Sequence, residues 1–517
     1  MDRRDFLAAA AITLNTPPLA AGVALEANPS VIEELTLADI GAAFAAGTLT
    51  SRRLTELYLA RIDALDRRGP SLRAVIELSP QALTTAAELD RERSASGARG
   101  PLHGVPVLIK DNIETSDRLM TTAGSLALDG WYAPADAPLV ARLRAAGAVI
   151  LGKTNLSEWA NFRSTHAVSG WSGRGGQTRN PYALNRSPSG SSSGSAVAVS
   201  ANLCAVAIGT ETDGSIVSPA SINGIVGLKP TVGLIDGRGI VPLSHSQDTA
   251  GPLTRTVRDA AVLLTILARA PDADKSTDYA RFVDPQGLRG ARLGIARRFF
   301  ADNAPLDRHL DHCIDLLKRA GAIIVDPASF PAPTEAGGAE TDVLLYEFKS
   351  DLNAYLARLP ADFRVRSLAE LIRFNEAQAA TEMPLFDQEL LRQAEAKGGL
   401  DEAAYRDARA ACLAASRGGI DAALAHDRLD ALVTLTAGTA WLIDPVNGDA
   451  DSGGCSSPAA VAGYPHITVP AGLHRGLPVG LSFFSAAHSE PTLLRLAAGF
   501  EQIAGGRPRP HFLGSLP

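Results

Sequence analysis

Cysteine, methionine and tryptophan are scarce in this 517-residue chain, at four, three and four residues. The cysteines, Cys204, Cys313, Cys412 and Cys455, lie far apart and form no Cys-x-x-Cys pair. Neither a disulfide framework nor a thiolate metal site is indicated. A basic surplus is also lacking. Lys and Arg number 49 against 56 Asp and Glu, a net charge of −7, and the two signs are interspersed. With no basic stripe, no nucleic-acid partner is expected. The glycine-rich turns lack the Gly-Lys-[Ser/Thr] of a phosphate loop. No histidine sits in a serine-hydrolase motif, and there are no internal repeats. Long apolar runs are missing too. Residues 187–210 are uncharged, but their first half is mostly Ser, Gly and Pro, which would be costly in lipid. No stable membrane association is expected.

What is present fits a globular enzyme, with 46% hydrophobic and 20% charged residues. Length alone would suggest two or three domains. The first 27 residues stand apart. Arg3, Arg4 and Phe6-Leu7 precede an uncharged stretch over 8–14, then Asn15 and Pro17-Pro18. Basic, apolar and small-residue regions in that order describe an export signal, here resembling the twin-arginine type. Cleavage is expected between residues 20 and 27, and a periplasmic or secreted location follows.

The most informative stretch is 187–230. Two Gly/Ser-rich turns, 187–195 and 212–215, bracket an apolar run over 196–209. That run reads as a short helix followed by a buried strand. A strand that ends in Gly214-Ser215 and turns into a helix brings a hydroxyl and several unpaired N–H groups to one point. Acyl transfer needs that combination, a nucleophile beside donors for a developing oxyanion.

Around it, 37–47, 51–65, 82–94, 137–146 and 256–268 read as helices. Strands are expected at 104–109, which delivers Lys110 at its end, and at 148–151. Residues 170–176 and 180–188 read as loops, and 248–255 as a turn segment capping the helix at 256. From about 271 to 430 the helical patterns lengthen, as at 343–359 and 402–426, and suggest a helical insertion on the core. Strand character returns at 431–435, 466–470 and 478–484, and 492–502 closes as a helix.

Three motifs in fixed order, GVPVLIKDNIET (104–115), PSGSSSGSAVAV (188–199) and TDGSI (212–216), resemble the amidase signature family. GTETDGSIVSPASINGIVGLKPTVGLI (209–235) and SQDTAGPLTRTVRDAA (246–261) are most similar to its bacterial peptide-amidase members. The resemblance runs from about 102 to 267, with a weaker tail through SSPAAVAGYPHITVPAG and GLPVGLSFFS. It implies one large α/β domain over 28–517, not several. Its central mixed, mostly parallel sheet would be covered by helices on both faces and carry the helical insertion at 271–430. It also implies hydrolysis of carboxamides by a Ser–Ser–Lys relay, with C-terminal peptide amides as the substrate class. Ser215 would be the nucleophile, Ser191 the bridging hydroxyl after a cis Gly190–Ser191 peptide, and Lys110 the base. The backbone N–H groups of Thr212, Asp213, Gly214 and Ser215 would hold substrate and oxyanion. No metal or organic cofactor is implied, and a monomer acting on a small-molecule or peptide amide is expected.

The residue types make chemical sense in those roles. A serine hydroxyl needs a base within reach, and a free lysine with a pKa near ~10.4 is almost wholly protonated at neutral pH. Burial against Val105, Val107 and Ile109 would lower that value, while Asp111 would oppose the change if it faced the amine. Two departures from the wider family stand at the nucleophile: Asp213 replaces a common Gly and Val217 a common Arg. Loss of that arginine disfavours small acidic amides. Ser193, where many relatives have Gly, is a third. His309, His312 and Cys313 fall at helical spacing but read as part of a packed helix. Asp444, Asn447, Asp449 and Asp451 either line the pocket or form turns. The alternatives are a broad aryl- or fatty-acyl amidase or esterase on the same residues, the amidase component of an amidotransferase, and an inactive periplasmic binding protein.

Overall fold

The computed structural model describes residues 29–269, 277–300, 303–330 and 337–516. The segment read as an export signal, 1–27, lies outside them. Thirteen strands follow in chain order: β1 Val75–Leu78, β2 Pro106–Lys110, β3 Val149–Thr154, β4 Trp171–Ser172, β5 Gly176–Gln177, β6 Val206–Glu211 and β7 Val226–Lys229, then β8 Thr249–Thr254, β9 Arg292–Ile295, β10 Ile323–Val325, β11 Ala431–Leu435, β12 His466–His474 and β13 Leu477–Phe484. Eleven build one sheet in the order β1-β3-β2-β6-β8-β7-β12-β13-β11-β9-β10, and β4 pairs with β5 separately. Helices flank this sheet, giving the expected single α/β domain. Among the described residues no helix is long and apolar enough to cross a membrane.

Strand direction departs from expectation. The sheet is mixed, but parallel pairing is confined to two flanks, β3-β2-β6 and β11-β9-β10. From β6 through β11 every described pairing is antiparallel. The connections explain this: β2 reaches β3 over the helix Pro138–Ala145, whereas β12 turns straight into β13 at Arg475-Gly476. A parallel neighbour needs a crossover; an antiparallel one needs only a short turn.

Two local expectations are corrected. Residues 249–254, read as part of a turn, form a fully buried strand between β6 and β7. Gly251 makes this possible, because a Cβ there would lie 2.1 Å from the Leu228 carbonyl oxygen. The helical insertion is also narrower than 271–430. β9 and β10 belong to the main sheet, and the helical layer begins with Gly337–Leu356 and ends with Ala403–Asp427. That layer has its own apolar cluster, in which Leu345, Phe348, Leu352 and Leu391 pack with Trp159 and Leu128 of the core. The loop expected over 170–176 holds the short hairpin of β4 and β5.

The elements that matter for chemistry are the most deeply buried. β2, β3 and β6 have no exposed residue, and neither has the helix Ser193–Ser200. This helix approaches β3 closely at Gly194, where a Cβ would meet the Ala74 carbonyl oxygen at 2.3 Å and the Asn155 carbonyl oxygen at 2.5 Å.

Candidate active site

Lys110 ends β2 and is completely buried. Its Nζ lies 2.8 Å from Ser191 Oγ, 3.0 Å from Ser192 Oγ, and 2.9 and 3.2 Å from Thr210 Oγ1 and the Thr210 carbonyl oxygen. Burial lowers its pKa to about 7, against the opposing charges of Asp248 and Glu211. Asp111 does not face this amine. Its carboxylate accepts from Thr122 Oγ1 and Gly124 N and lies 3.6 Å from Arg174. Side chains alternate across a strand end, so the neighbouring acid serves the opposite face and leaves the amine free to lose its proton.

Ser191 follows a cis peptide bond from Gly190. Its carbonyl accepts from Ser157 N at 3.1 Å. Ser192 and Ser193, the neighbours easiest to confuse with it, are otherwise engaged. Ser192 Oγ donates to the Thr210 carbonyl at 2.9 Å, and Ser193 Oγ to the Ser189 carbonyl at 2.6 Å. The next backbone link joins the two serine motifs: Ser192 N donates to the Ser215 carbonyl at 3.2 Å. Ser215 is thereby held beside Ser191, although its hydroxyl makes no hydrogen bond to another described residue.

The loop 212–215 is anchored from its flanks. Thr212 Oγ1 donates to Asp248 Oδ1 at 2.5 Å, and the Thr212 carbonyl accepts from Gln247 Nε2 at 3.3 Å. Asp213 Oδ2 accepts from Ser457 Oγ at 2.6 Å. Gly214 has φ +75°, and a Cβ there would stand 2.9 Å from Ser456 Oγ. Glu211 Oε2 then accepts from Ile216 N and Val217 N, which fixes the start of the helix Val217–Ile222. With those donors taken, the N–H groups of Asp213, Gly214 and Ser215 have no acceptor among the described residues. They form a set of donors at the end of β6 of the kind that binds an anionic oxygen.

A cavity of about 210 Å³ opens here, lined by Gly190, Asp213, Gly214, Asn161, Trp441, Asp449 and Asp451 among others. Thr212 and Ser215 are not among its lining residues; each is only 7% exposed. None of the lining residues is Lys, Arg or His. Val217 lies outside the cavity with a fully buried side chain, so the absence of positive charge is a property of the whole wall, not of that one position. The 444–451 loop divides as its two readings allowed. Asp449 accepts from Trp441 Nε1 at 2.7 Å and Ser169 Oγ at 2.5 Å and lines the cavity, while Asp444 caps its own turn at Val446 and Asn447. Asn161 arrives on three consecutive left-handed residues, Trp159, Ala160 and Asn161. Nothing in its sequence neighbourhood announced it.

The remaining candidates are structural. His309 Nε2 lies 2.9 Å from the Ala471 carbonyl, and Cys313 is buried on a packed helix. All four cysteines are buried free thiols.

Comparison with known proteins identifies the family and the fold. The Amidase family model matches residues 53–494. The "Probable amidase" of Arabidopsis thaliana is 44% identical over 93% of this chain and 92% of its own length. The crystal structure of native peptide amidase from Stenotrophomonas maltophilia superposes with a TM-score of 0.88 at 53% identity, covering 93% of this chain and 99% of that one. An amidase family protein from Bacillus anthracis superposes with a TM-score of 0.85 at 32% identity, covering 95% of this chain and 96% of its own.

Proposed function

Because the chain belongs to the amidase signature family of hydrolases, we propose that it hydrolyses the C-terminal amide of peptides through an acyl-enzyme on Ser215. The observation that carries this reading is the fully buried Lys110 amine on the Ser191 hydroxyl, beside the free N–H groups of Gly214 and Ser215. The 53% identity to a peptide amidase supports the substrate class.

In this mechanism neutral Lys110 accepts the Ser191 proton as Ser191 takes the proton of Ser215. Ser215 Oγ attacks the amide carbon, and the carbonyl oxygen becomes an oxyanion on the backbone donors of 213–215. One such donor is worth about 3–4 kcal/mol of barrier. Collapse of the intermediate expels ammonia, protonated through Ser191. Water, activated through the same relay, then releases the acid. Lowering the pKa of the lysine is essential, since a base must be unprotonated at working pH.

The test is a panel of peptide amides, amino-acid amides and fatty-acyl amides scored for ammonia release, with Ser215→Ala as control. Peptide amides should be turned over best, their products should be intact acids, and Ser215→Ala should lose turnover and labelling by a fluorophosphonate probe. Better turnover of fatty or aryl amides would replace the substrate class, and undiminished labelling of Ser215→Ala would remove the nucleophile.

A further inference from the structure

A second buried acid stands behind the loop that carries the proposed oxyanion donors. Glu340 lies in the first turn of the helix Gly337–Leu356, in the layer that covers the core, and is 9% exposed. Its Oε1 accepts from Gln247 Nε2 at 3.0 Å, and the same Nε2 reaches the Thr212 carbonyl at 3.3 Å. Its carboxyl faces that of Asp213, whose charge acts on it. Asp213 Oδ2 is taken by Ser457, but Asp213 Oδ1 is buried with no donor. Two facing carboxylates cannot satisfy each other. A protonated Glu340 donates the missing hydrogen bond, and an acceptor buried without one would cost the fold.

Resting on the proposed hydrolytic reading, we propose that Glu340 is a positioning residue that works protonated. It donates to Asp213 and, with Gln247, clamps residues 212–213 so that the Gly214 and Ser215 N–H groups stay aligned on the oxyanion.

The surroundings favour the neutral acid. Burial first, then the Asp213 charge, push the Glu340 carboxyl well above the usual carboxylate range. From the neighbouring elements, Cys412 on the helix Ala403–Asp427, Asp248 beside Gln247, and Cys455 and Ser457 face this cluster. Further charges act on Asp213 through Glu211 and Lys229. Among the described residues neither Glu340 nor Asp213 pairs with an arginine, lysine or histidine within ion-pair distance. As pH rises and Glu340 loses its proton, like-charge repulsion replaces the hydrogen bond and the loop is released.

The experiment compares pH profiles of kcat and KM for the full-length wild-type enzyme, Glu340→Gln and Glu340→Ala on one peptide amide, with melting temperatures alongside. Glutamine keeps a donor for Asp213 and an acceptor for Gln247 but cannot ionise. Glu340→Gln should hold kcat within about threefold and lack the alkaline decline in kcat expected of wild type, while Glu340→Ala lowers kcat by about tenfold or more with KM little changed. An alkaline limb in Glu340→Gln identical to wild type, or a folded Glu340→Ala with wild-type kcat, would overturn the proposal. If the alanine variant does not fold, the glutamine profile alone decides. Fluorophosphonate labelling of wild type tests the serine nucleophile separately: failure there sinks the hydrolytic reading, whereas rapid labelling with an unchanged Glu340→Gln profile sinks only the role of Glu340.

Discussion

Lys110 Nζ stands 2.8 Å from Ser191 Oγ at the end of a strand with no exposed residue. The 81 positions that separate them in sequence are closed by the parallel pairing of β2 with β6, which brings Thr210 and the two serine turns to the same edge as Lys110. Burial gives the amine its low pKa, and the hydroxyls around it supply the partners that make burial tolerable.

The first prediction concerns pH. Lys110 has a pKa of about 7, lowered mainly by burial and partly restored by Asp248 and Glu211. The base is active when neutral, so kcat/KM should climb as pH rises through about 7 and then level off, until the release of the Glu340 proton brings the alkaline decline. Asp248→Asn removes a charge that raises the lysine pKa and should move the rise to lower pH. A rate independent of pH between 5 and 9 would show that this amine does not gate acylation.

The same burial makes Lys110 expensive for the fold. Its folded pKa of about 7 lies below the ~10.4 of a free lysine, so between these values the unfolded chain binds more protons and stability rises with pH. Below pH 7 the penalty is on the order of 5 kcal/mol, and it fades as pH approaches ~10. Lys110→Met removes the charge but also several hydrogen bonds, each worth about 1 kcal/mol. The inactive variant should therefore be more stable than wild type at pH 6 and lose that advantage by pH 10. Denaturant midpoints at the two pH values measure it; an equal difference at both would contradict the linkage.

Gly194 offers a test of packing. In an open helix Gly→Ala gains about 1 kcal/mol. Here the added Cβ would sit 2.3 Å from the Ala74 carbonyl oxygen and 2.7 Å from Asn155 N, both backbone atoms that cannot swing away. Overpacking costs about 1–3 kcal/mol or more, so the clash should win. Gly194→Ala should lower the denaturation midpoint and, by shifting the neighbouring serines, reduce turnover. A stabilised variant would mean the helix can move away from β3.

How legible the site was depends on how local its causes are. β2 and its terminal lysine could be read directly, because an apolar run stops at one charged residue. The turn–helix–strand succession from Ser193 to Glu211 could be read from its small and β-branched residues. β8 could not, since Thr-Ala-Gly-Pro has the composition of a turn, and its place in the sheet depends on distant partners such as the Leu228 carbonyl, for which Gly251 leaves room. The direction of strand pairing is likewise set by distant connections. Glu340 lies 93 positions beyond Gln247 and is brought to the loop by the covering helices. No motif surrounds it, and only the fold reveals its contact with Asp213.

The last prediction concerns charge in the substrate. The cavity beside Gly214 is lined by Asp213, Asp449 and Asp451 and by no basic residue. None of the three makes an ion pair among the described residues; they are held by hydrogen bonds such as those from Ser457, Trp441 and Gly453. An anionic acyl group entering this wall meets like charge and loses hydration without a partner. A cationic one gains a modest attraction, because pairs near a surface contribute about 0.2–1 kcal/mol each. Across the cluster, kcat/KM for an amide with an Arg or Lys side chain should exceed that for the matching Glu peptide amide by roughly tenfold, ~1.4 kcal/mol. Screening acts on exposed charges first, so added salt should narrow the ratio, mainly through KM. Asp451 is exposed and accepts only from Gly453 N among the described residues. Asp451→Asn should therefore reduce the preference while leaving kcat for a neutral peptide amide close to wild type. Equal turnover of the cationic and anionic peptides at low salt would show that the acyl chain binds away from this wall.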